Sequence, residues 1–397
     1  MRWRVAAALL LVVVALGAFN YLRPIPSVAA TALLPSTDRV AGGAPALPWP
    51  ARGAGAVGVS GLGFIASSGN EQATPAASVT KVMTALIVLT DHPLVAGAAG
   101  PGVTVSDADV QAYRDDLAQG QSVVKVQGGE VLSELQILEG MLIPSANNYA
   151  GMAGRWDAGS LDAFIAKMNS RAATMKMTHT HFADPAGASP QSVSTPSDLL
   201  ILGMEAMQDP VFASIVAMPQ INLPVAGTVY NVDGVLGQGG IVGIKTGSGL
   251  DTGANFLFAA KVTIDNRQIL VFGCVMGQPS LAIAFSSAGS LIAAMTPALH
   301  VRRVIERNES IATYTTPWGA TTDLVSRVDV DLAEWPGMVL RQHLDAGALV
   351  VAQPLPQGTR EGTEHVVLGD YDLAVPLVTA DALYPPGRLW RLTRLSF

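Results

Sequence analysis

A serine and a lysine three residues apart, Ser78 and Lys81, are the residues of this chain whose types and spacing best suit nucleophilic chemistry. The run from Ala76 to Asp91 contains no glycine or proline and follows the turn signal Thr74-Pro75, so we expect a helix there. Positions i and i+3 share a helix face, which lets the hydroxyl and the amine meet. A serine hydroxyl needs an adjacent base, and a lysine with a lowered pKa is such a base.

A second serine and lysine with the same spacing, Ser122 and Lys125, test how much the pattern means. They lie in a β-branched run from 121 to 127 that ends at Gly128-Gly129, so we expect a strand. On a strand, positions i and i+3 point to opposite faces and the side chains cannot cooperate. The spacing alone is therefore weak. The alternative interpretation of Ser78 and Lys81 is a helix-capping serine and a surface lysine.

Two short motifs elsewhere complete the pattern. Ser145-Ala-Asn147 lies in a loop between two predicted helices, and Lys245-Thr-Gly247 ends a predicted strand. The order of the three motifs, with 67 residues from Ser78 to Ser145 and 100 from Ser145 to Lys245, resembles the serine-type D-alanyl-D-alanine carboxypeptidases among the low-molecular-mass penicillin-binding proteins. The resemblance covers roughly residues 56 to 295 and includes the segments 164–181, 182–187 and 194–198.

The resemblance implies a penicillin-sensitive serine D,D-carboxypeptidase that removes the terminal D-Ala from peptidoglycan stem pentapeptides. Ser78 would be the acylated nucleophile and Lys81 its base. Ser145 would relay protons towards the leaving amine, and Asn147 would hold a substrate amide. The implied partners are the stem peptide and, as covalent inhibitors, β-lactam antibiotics.

The resemblance also implies how the substrate is held. Lys245 and Thr246 would bind the terminal carboxylate, because a fixed cation and a hydroxyl suit a carboxylate. Gly247 would let the substrate backbone lie against the strand, since it has no side chain. The backbone N–H groups of Ser78 and Ser248 would form the oxyanion hole.

Two positions depart from the wider superfamily pattern. Ala146 stands where β-lactamases have aspartate, which the carboxypeptidase group tolerates. Ser248 stands where the family often carries a bulkier residue, so the choice between carboxypeptidase and endopeptidase stays open. A class A β-lactamase is the nearest alternative, but the chain lacks a Glu-x-x-Leu-Asn segment after the second motif. A non-enzymatic wall-binding protein would not need to keep Ser78, Lys81 and Lys245.

A metallopeptidase and a nucleic-acid-binding protein are disfavoured by composition and motifs. His179 and His181 could be two metal ligands, but there is no His-Glu-x-x-His motif and the chain has six histidines in all. We therefore expect no metal and no cofactor. The formal net charge of −7 argues against nucleic acid as the main partner.

The order of predicted elements indicates an α+β fold. Early strands, a block of helices and late strands predict an antiparallel sheet flanked by helices over 56–297, as a serine D,D-peptidase domain. Short alternating segments over 298–397 predict a small all-β accessory domain, ending in a strand at Arg388 to Leu395. For that last segment, a membrane-surface amphipathic helix is the competing interpretation.

The N-terminal part predicts export from the cytoplasm. Residues 1–22 are a short basic segment followed by an apolar run, typical of a signal peptide or an uncleaved signal anchor. The protein would then be secreted, or anchored to the cytoplasmic membrane facing the cell wall. Ala30-Thr-Ala32 has the form of a cleavage site but lies far from the apolar run, so cleavage and retention both stay open. Residues 23–55 are rich in proline and alanine and predict a linker.

Overall fold

The computed structural model describes residues 2–69, 71–249 and 252–394. The α-helices are α1 (Arg2–Leu22), α2 (Lys81–Asp91), α3 (Asp107–Ala118), α4 (Glu134–Leu142), α5 (Asn147–Ala158), α6 (Leu161–Thr174), α7 (Pro196–Ala206), α8 (Pro210–Val216), α9 (Leu281–Met295) and α10 (Arg388–Thr393). Short 3₁₀ turns are at Ala77–Thr80, Gln238–Gly240 and Thr296–Ala298.

The strands are β1 (Ala30–Ala32), β2 (Thr37–Arg39), β3 (Ala54–Val59), β4 (Gly63–Ser67), β5 (Thr74–Pro75), β6 (Gly102–Thr104), β7 (Val131–Ser133), β8 (Val193–Ser194), β9 (Gln220–Leu223), β10 (Gly227–Tyr230), β11 (Ile241–Gly249), β12 (Gly253–Ile264), β13 (Arg267–Gln278), β14 (His300–Ile305), β15 (Ser310–Thr315), β16 (Thr321–Ser326), β17 (Val330–Glu334), β18 (Val339–Asp345), β19 (Arg360–Leu368) and β20 (Tyr371–Thr379). The chain divides into two compact units. One is Ala44–His300; the other combines Met1–Gly43 with Val301–Phe397.

The unit Ala44–His300 is built on an antiparallel sheet with the strand order β11-β12-β13-β3-β4. Five consecutive residues of β12, from Phe256 to Ala260, are fully buried, which requires both faces of the sheet to be covered. Phe256 makes an edge-on ring contact with Phe285 of α9. Its neighbour Leu257 packs closely against Gly203 of α7, so the two helices cover opposite faces. The predicted α+β fold is confirmed.

Helix α2 lies inside the helical part of this unit. Every residue from Lys81 to Leu89 is buried, because α4, α5, α6 and α7 pack around it. The sequence predicted a helix from Ala76, whereas the structure begins with a 3₁₀ turn over Ala77–Thr80. A helix buried on all sides also buries the polar groups it carries, and here these include the Lys81 amine.

Two predicted extended segments before α4 differ in the structure. The sequence from Val103 to Val110 predicts an extended segment, but the structure is extended only at β6 and then enters α3, so that prediction is wrong for the second half. Ser106 begins α3 with a capping box to Asp109, a signal outweighed by the β-branched residues around it. The strand predicted over residues 121–127 is wrong, because these residues form neither a helix nor a strand.

The other unit contains a sheet with the strand order β1-β15-β16-β20-β19-β18-β2. Its two edge strands, β1 and β2, come from the segment that the sequence predicted as a linker, which is a correction. Strands of three residues are too short to show the alternation by which strands are recognised in a sequence. The sheet-rich character of the C-terminal part is confirmed.

Residues 28–39 join the two edges of this sheet. Leu33 N–H donates to Ile311 O at 2.9 Å on one side, and Gln342 N–H donates to Ser36 O at 2.9 Å on the other. Five residue steps from Ala32 to Thr37 span at most about 18 Å. The edges must therefore approach each other, and the sheet rolls towards a closed barrel.

Residues 388–393 form a helix, α10, instead of the predicted strand. The segment through Arg394 is described, and Leu395 lies outside the described residues. Leu389 and Leu392 are three residues apart, a spacing that fits one face of a helix and departs from a two-residue alternation. The prediction of a strand gave this spacing too little weight.

Candidate active site

Ser78 lies on a tight turn that is fixed from the sheet side. The preceding residue Ala77 has φ +48°, a left-handed conformation that is rare for a residue with a side chain. The Asn255 side chain on β12 donates to Pro75 O at 2.9 Å and Ala76 O at 3.1 Å. Such a conformation persists only where its surroundings hold it, and Asn255 is one of the groups that do so.

Two glycines pack directly against this turn. A Cβ on Gly247 would lie 2.9 Å from Ala76 O and 3.1 Å from Ser78 N. A Cβ on Gly187, which has φ +74°, would lie within van der Waals overlap of Ala77 O. The family resemblance implies that Gly247 lets the substrate backbone approach, and the structure adds that the missing side chain makes room for the turn that carries Ser78.

The Lys81 amine is fully buried and directly contacts Ser78. Its Nζ lies 2.8 Å from Ser78 Oγ, 2.7 Å from Asn147 Oδ1 and 3.0 Å from Ala186 O. The two carbonyl oxygens can only accept, so they take the two N–H groups of a neutral amine. A charged amine donates its third N–H to Ser78 Oγ, whereas in the neutral amine the remaining lone pair faces Ser78 and can accept the hydroxyl proton.

The electrostatic environment favours this neutral form. Burial lowers the pKa of Lys81 well below its ordinary value of 10.5, and the positive charge of Lys245 lowers it further. The carboxylates of Asp184 and Asp116 act in the opposite direction. The net shift is downwards, so Lys81 is suited to accept a proton near neutral pH.

A row of side-chain amides orients Asn147. Asn147 Nδ2 donates to Gln121 Oε1 at 2.6 Å, and Gln121 Nε2 donates to Gln119 Oε1 at 3.1 Å. With its nitrogen occupied, Asn147 presents its oxygen to Lys81. Sequence reasoning missed Gln121, because it lies 26 residues before Asn147 and no local pattern marks it.

Residues 122–124 are hydrogen-bonded to the start of α5. Asn147 N–H donates to Ser122 O at 2.8 Å. The Asn148 side chain exchanges two hydrogen bonds with the backbone of Val124. Ser122 and Lys125 are both exposed, so the second serine-lysine pair serves through its backbone and lies apart from Lys81.

The loop that supplies Ala186 is organised by one carboxylate. Asp184 accepts from the N–H groups of Ala186, Ala188 and Ser189 and from the Ser192 hydroxyl, at 2.8–3.0 Å. These bonds fix the loop that places Ala186 O on Lys81. The sequence resemblance included this segment, but it assigned Asp184 no role.

Ser145 precedes α5 in a left-handed conformation, with φ +67°, and is buried. Two residues later, Asn147 begins the helix. A strained residue next to Asn147 is typical of a site where the surrounding fold fixes the geometry. The structure therefore places Ser145 in the loop that leads into α5, two residues before Asn147.

Strand β11 carries the third motif along the edge of the sheet. Lys245 and Thr246 are buried and Ser248 is exposed. Lys245 Nζ donates to Thr246 O at 3.2 Å. Burial lowers the pKa of Lys245 to about 7, against the raising effect of Asp233. A lysine that is marginally charged in the free protein gains its charge when an anion binds beside it.

The two histidines weighed as metal ligands lie at the surface. His179 and His181 are exposed, and the His179 ring contacts the Thr178 hydroxyl at 3.2 Å. Over residues 2–69, 71–249 and 252–394, no group of three or more His, Cys, Asp or Glu side chains is placed to hold a metal ion. The metallopeptidase alternative gains no support from these residues.

With this geometry in place, comparison with known proteins identifies the family. A family profile described as D-alanyl-D-alanine carboxypeptidase matches residues 62–280, which is more than half of the chain. The chain belongs to this family. The resemblance inferred from the three motifs is confirmed.

Individual relatives agree with the family match. The chain is 34% identical to the D-alanyl-D-alanine carboxypeptidase DacB2 of Mycobacterium tuberculosis over 182 residues, which is 44% of this chain and 58% of that protein. The match thus spans less than two thirds of that relative. The crystal structure of the Streptomyces K15 DD-transpeptidase gives a TM-score of 0.56 at 26% identity, covering 63% of this chain and 98% of that chain.

A second solved structure extends the likeness in fold. Penicillin binding protein 5 from Haemophilus influenzae gives a TM-score of 0.61 and covers 85% of this chain and 99% of that chain. At 18% identity this likeness shows the fold alone. It agrees with the β-sheet-rich C-terminal part described above.

Proposed function

We propose that this protein is a penicillin-sensitive serine D,D-carboxypeptidase that removes the terminal D-Ala from peptidoglycan stem pentapeptides. The observation that carries the proposal is the 2.8 Å contact between Lys81 Nζ and Ser78 Oγ, with two carbonyl oxygens taking the amine's N–H groups. Membership of the D-alanyl-D-alanine carboxypeptidase family supports it. The apolar segment Trp3–Leu22 supports a site of action outside the cytoplasm.

Acylation begins with proton transfer from the Ser78 hydroxyl to Lys81 Nζ. The Ser78 oxygen attacks the carbonyl carbon of the penultimate D-Ala, and the new oxyanion is held by the backbone N–H groups of Ser78 and Ser248. The C–N bond then breaks. The terminal D-Ala leaves as an amine, with its proton delivered through Ser145.

Recognition of the substrate rests on its terminal carboxylate. Lys245 and Thr246 bind this carboxylate, which raises the Lys245 pKa above its value of about 7 in the free protein. The substrate backbone runs along β11. Binding at the carboxylate selects peptides with a free C-terminus and positions the penultimate carbonyl against Ser78.

Deacylation returns the enzyme to its starting state. A water molecule attacks the ester on Ser78, the tetrapeptide is released, and the hydroxyl regains its proton. A β-lactam acylates the same serine, but its leaving group stays attached to the acyl group. β-lactams therefore act as covalent inhibitors of this protein.

The decisive experiment is incubation with a stem pentapeptide ending in D-Ala-D-Ala, with released D-alanine as the readout. We expect release by the parent protein, none after penicillin treatment, and none from Ser78→Ala. A penicillin mass adduct should map to Ser78 and persist in Ser122→Ala. An adduct on another serine contradicts the site.

The same preparation distinguishes exopeptidase from endopeptidase activity. A cross-linked stem-peptide dimer is supplied in parallel with the pentapeptide. Preferential cleavage of the dimer, with little D-alanine released, would identify an endopeptidase on the same Ser78 chemistry. Hydrolysis of the β-lactam with loss of the adduct would identify a β-lactamase.

A further inference from the structure

Helix α1 has the length and composition of a membrane span. The twenty residues Trp3–Leu22 include an 18-residue window with a mean hydropathy of 2.4, and no side chain in that window is buried. At 1.5 Å per residue, this span is about 30 Å long, which matches the hydrocarbon core of a bilayer. Signal peptides and retained anchors share this character, so the distinction depends on the chain that follows.

The candidate cleavage site lies inside a sheet. Ala30-Thr-Ala32 is strand β1, in register with Ala312 to Tyr314 of β15. Just before it, Val28 exchanges backbone hydrogen bonds with Leu349 at 2.8 Å in both directions. Cleavage after Ala32 would remove an edge strand and this bridge from the folded unit.

The C-terminal end of α1 is bound by a buried arginine. Arg394 has a relative exposure of 5%, and it donates to the carbonyl oxygens of Asn20, Arg23 and Pro24 at 2.6–3.0 Å. The last carbonyl groups of a helix lack hydrogen-bond partners within the helix. A cation at this end also interacts favourably with the negative end of the helix dipole. Removal of residues 1–32 would take these acceptors from a buried charge.

Helix α10 makes further contacts with the same end of α1. Arg391 Nη2 donates to Tyr21 O at 2.7 Å, and its guanidinium lies 4.4 Å from the centre of the Tyr21 ring. Asn20 Nδ2 donates to Leu392 O at 3.3 Å. The Leu392 side chain packs against α1 at Gly17, where a Cβ would lie 3.7 Å from it. Side-chain, ring and backbone contacts thus join the two helices.

The free surface of α10 suits the boundary between lipid and water. Leu389 is 74% exposed, and Arg388 beside it is exposed as well. Exposed leucines next to arginines at the end of a membrane-length helix match the acyl-chain boundary and the phosphate layer of a phospholipid bilayer. The partner chemistry is therefore that of a bilayer surface.

We infer that residues 2–22 are retained as a membrane anchor in the mature protein. Arg391 and Arg394 of α10 then fix the end of this anchor, at the bilayer surface, to the accessory unit, which is the unit that combines Met1–Gly43 with Val301–Phe397. The inference is independent of the proposed reaction. Penicillin labelling of Ser78 reports that reaction separately.

Retention is tested on the full chain, expressed in a bacterial host with a C-terminal tag. We expect the protein to stay in carbonate-washed membranes, and mass spectrometry of its peptides to recover unbroken sequence from Phe19 to Leu33. The control Asn20→Ala/Leu22→Ala creates an Ala-x-Ala sequence directly after the apolar run and should be cleaved and released. A mature N-terminus between residues 18 and 43 in the parent protein overturns the inference.

The arginine contacts are tested by hydrogen exchange of the full chain in phospholipid nanodiscs. In Arg391→Ala/Arg394→Ala, amides between residues 19 and 28 should exchange at least about tenfold faster than in the parent. Arg388→Ala, which removes an exposed arginine of the same helix, should stay within about twofold. Parent-like exchange in the double variant overturns the role of the arginines.

An internal control guards against general unfolding of the variant. Peptides from β19 and β20 report whether the accessory sheet stays intact in the double variant. If they also exchange faster, Arg391→Ala alone is compared with Arg388→Ala by the same criterion. Faster exchange confined to 19–28 supports the inference, and equal exchange in both single variants contradicts it.

Discussion

The proposed role of Lys81 as the base differs from a purely electrostatic role because it requires the amine to lose a proton. Arginine keeps the positive charge but does not deprotonate in proteins. We therefore expect Lys81→Arg to suppress acylation by penicillin almost as fully as Ser78→Ala, because nucleophile and base act as a unit. Circular dichroism checks the fold, and the acylation rate is the measurement. Near-parent acylation by the folded variant would mean that the base lies elsewhere.

We expect the two buried lysines, in their proposed roles, to produce opposite limbs in the pH dependence of kcat/KM. Lys81 must be neutral, so kcat/KM rises as pH passes upwards through its lowered pKa. Lys245 must be charged to bind the carboxylate, so kcat/KM falls as pH rises above about 7, where the free protein loses that proton. Steady-state kinetics with the pentapeptide should give a bell-shaped curve. A substrate amidated at its C-terminus should lose the alkaline limb, and a shared limb would contradict the role of Lys245.

Gln121 offers a test of a positioning residue with two distinct readouts. Gln121→Leu removes the acceptor for Asn147 Nδ2, and we expect acylation to slow about tenfold, as for one lost hydrogen bond. Gln121→Glu keeps an acceptor but adds negative charge near Lys81, so it should move the acid limb of the pH profile to higher pH. Ser122→Ala alters an exposed neighbour and should match the parent. An unchanged rate in Gln121→Leu would reject the role.

At the scale of elements, the close packing of β11 on the nucleophile turn is a direct structural requirement. A methyl group at position 247 must displace Ala76 or Ser78, and Gly247→Ala should slow acylation about 10²-fold. The matched control is Gly289→Ala in α9, where a Cβ meets open space. That change should stabilise the helix by about 0.5–1 kcal/mol. The rate of penicillin labelling measures the effect of Gly247→Ala, and thermal melts measure the stability of Gly289→Ala. Labelling of Gly247→Ala at the parent rate would contradict the required close packing.

The elements also show what the sequence could and could not predict. The helix carrying Lys81 and the strand carrying Lys245 were predictable, because long periodic segments and short motifs are local signals. The positions of Gln121 and Asp184 were not, since they depend on how distant loops meet around Lys81. Strands β1 and β2 were not predicted for another reason. Each has three residues that are stabilised by long-range pairing, and so short a strand leaves almost no local pattern in the sequence.

At the scale of the whole molecule, residues 28–39 should stabilise the accessory unit and leave the reaction untouched. Leu33 is 51% exposed, but its N–H donates to Ile311 O. Leu33→Pro removes that donor and should destabilise this unit by about 1–3 kcal/mol, whereas Leu33→Ala keeps the donor and should be nearly neutral. Hydrogen exchange of β15 measures the effect, and Ser78 labelling should stay at the parent rate in both. Equal exchange in the two variants would contradict the closure.

Closure of the seven-stranded sheet joins segments that leave the ribosome far apart in time. Residues 28–39 emerge early, whereas β15 begins at Ser310 and β18 at Val339, on the order of tens of seconds later at ordinary rates of synthesis. The whole unit Ala44–His300 is made in that interval and holds its own sheet and core. The unit Ala44–His300 can thus finish folding while residues 28–39 still lack their partner strands. These residues stay exposed to proteases until β15 and β18 have been synthesised.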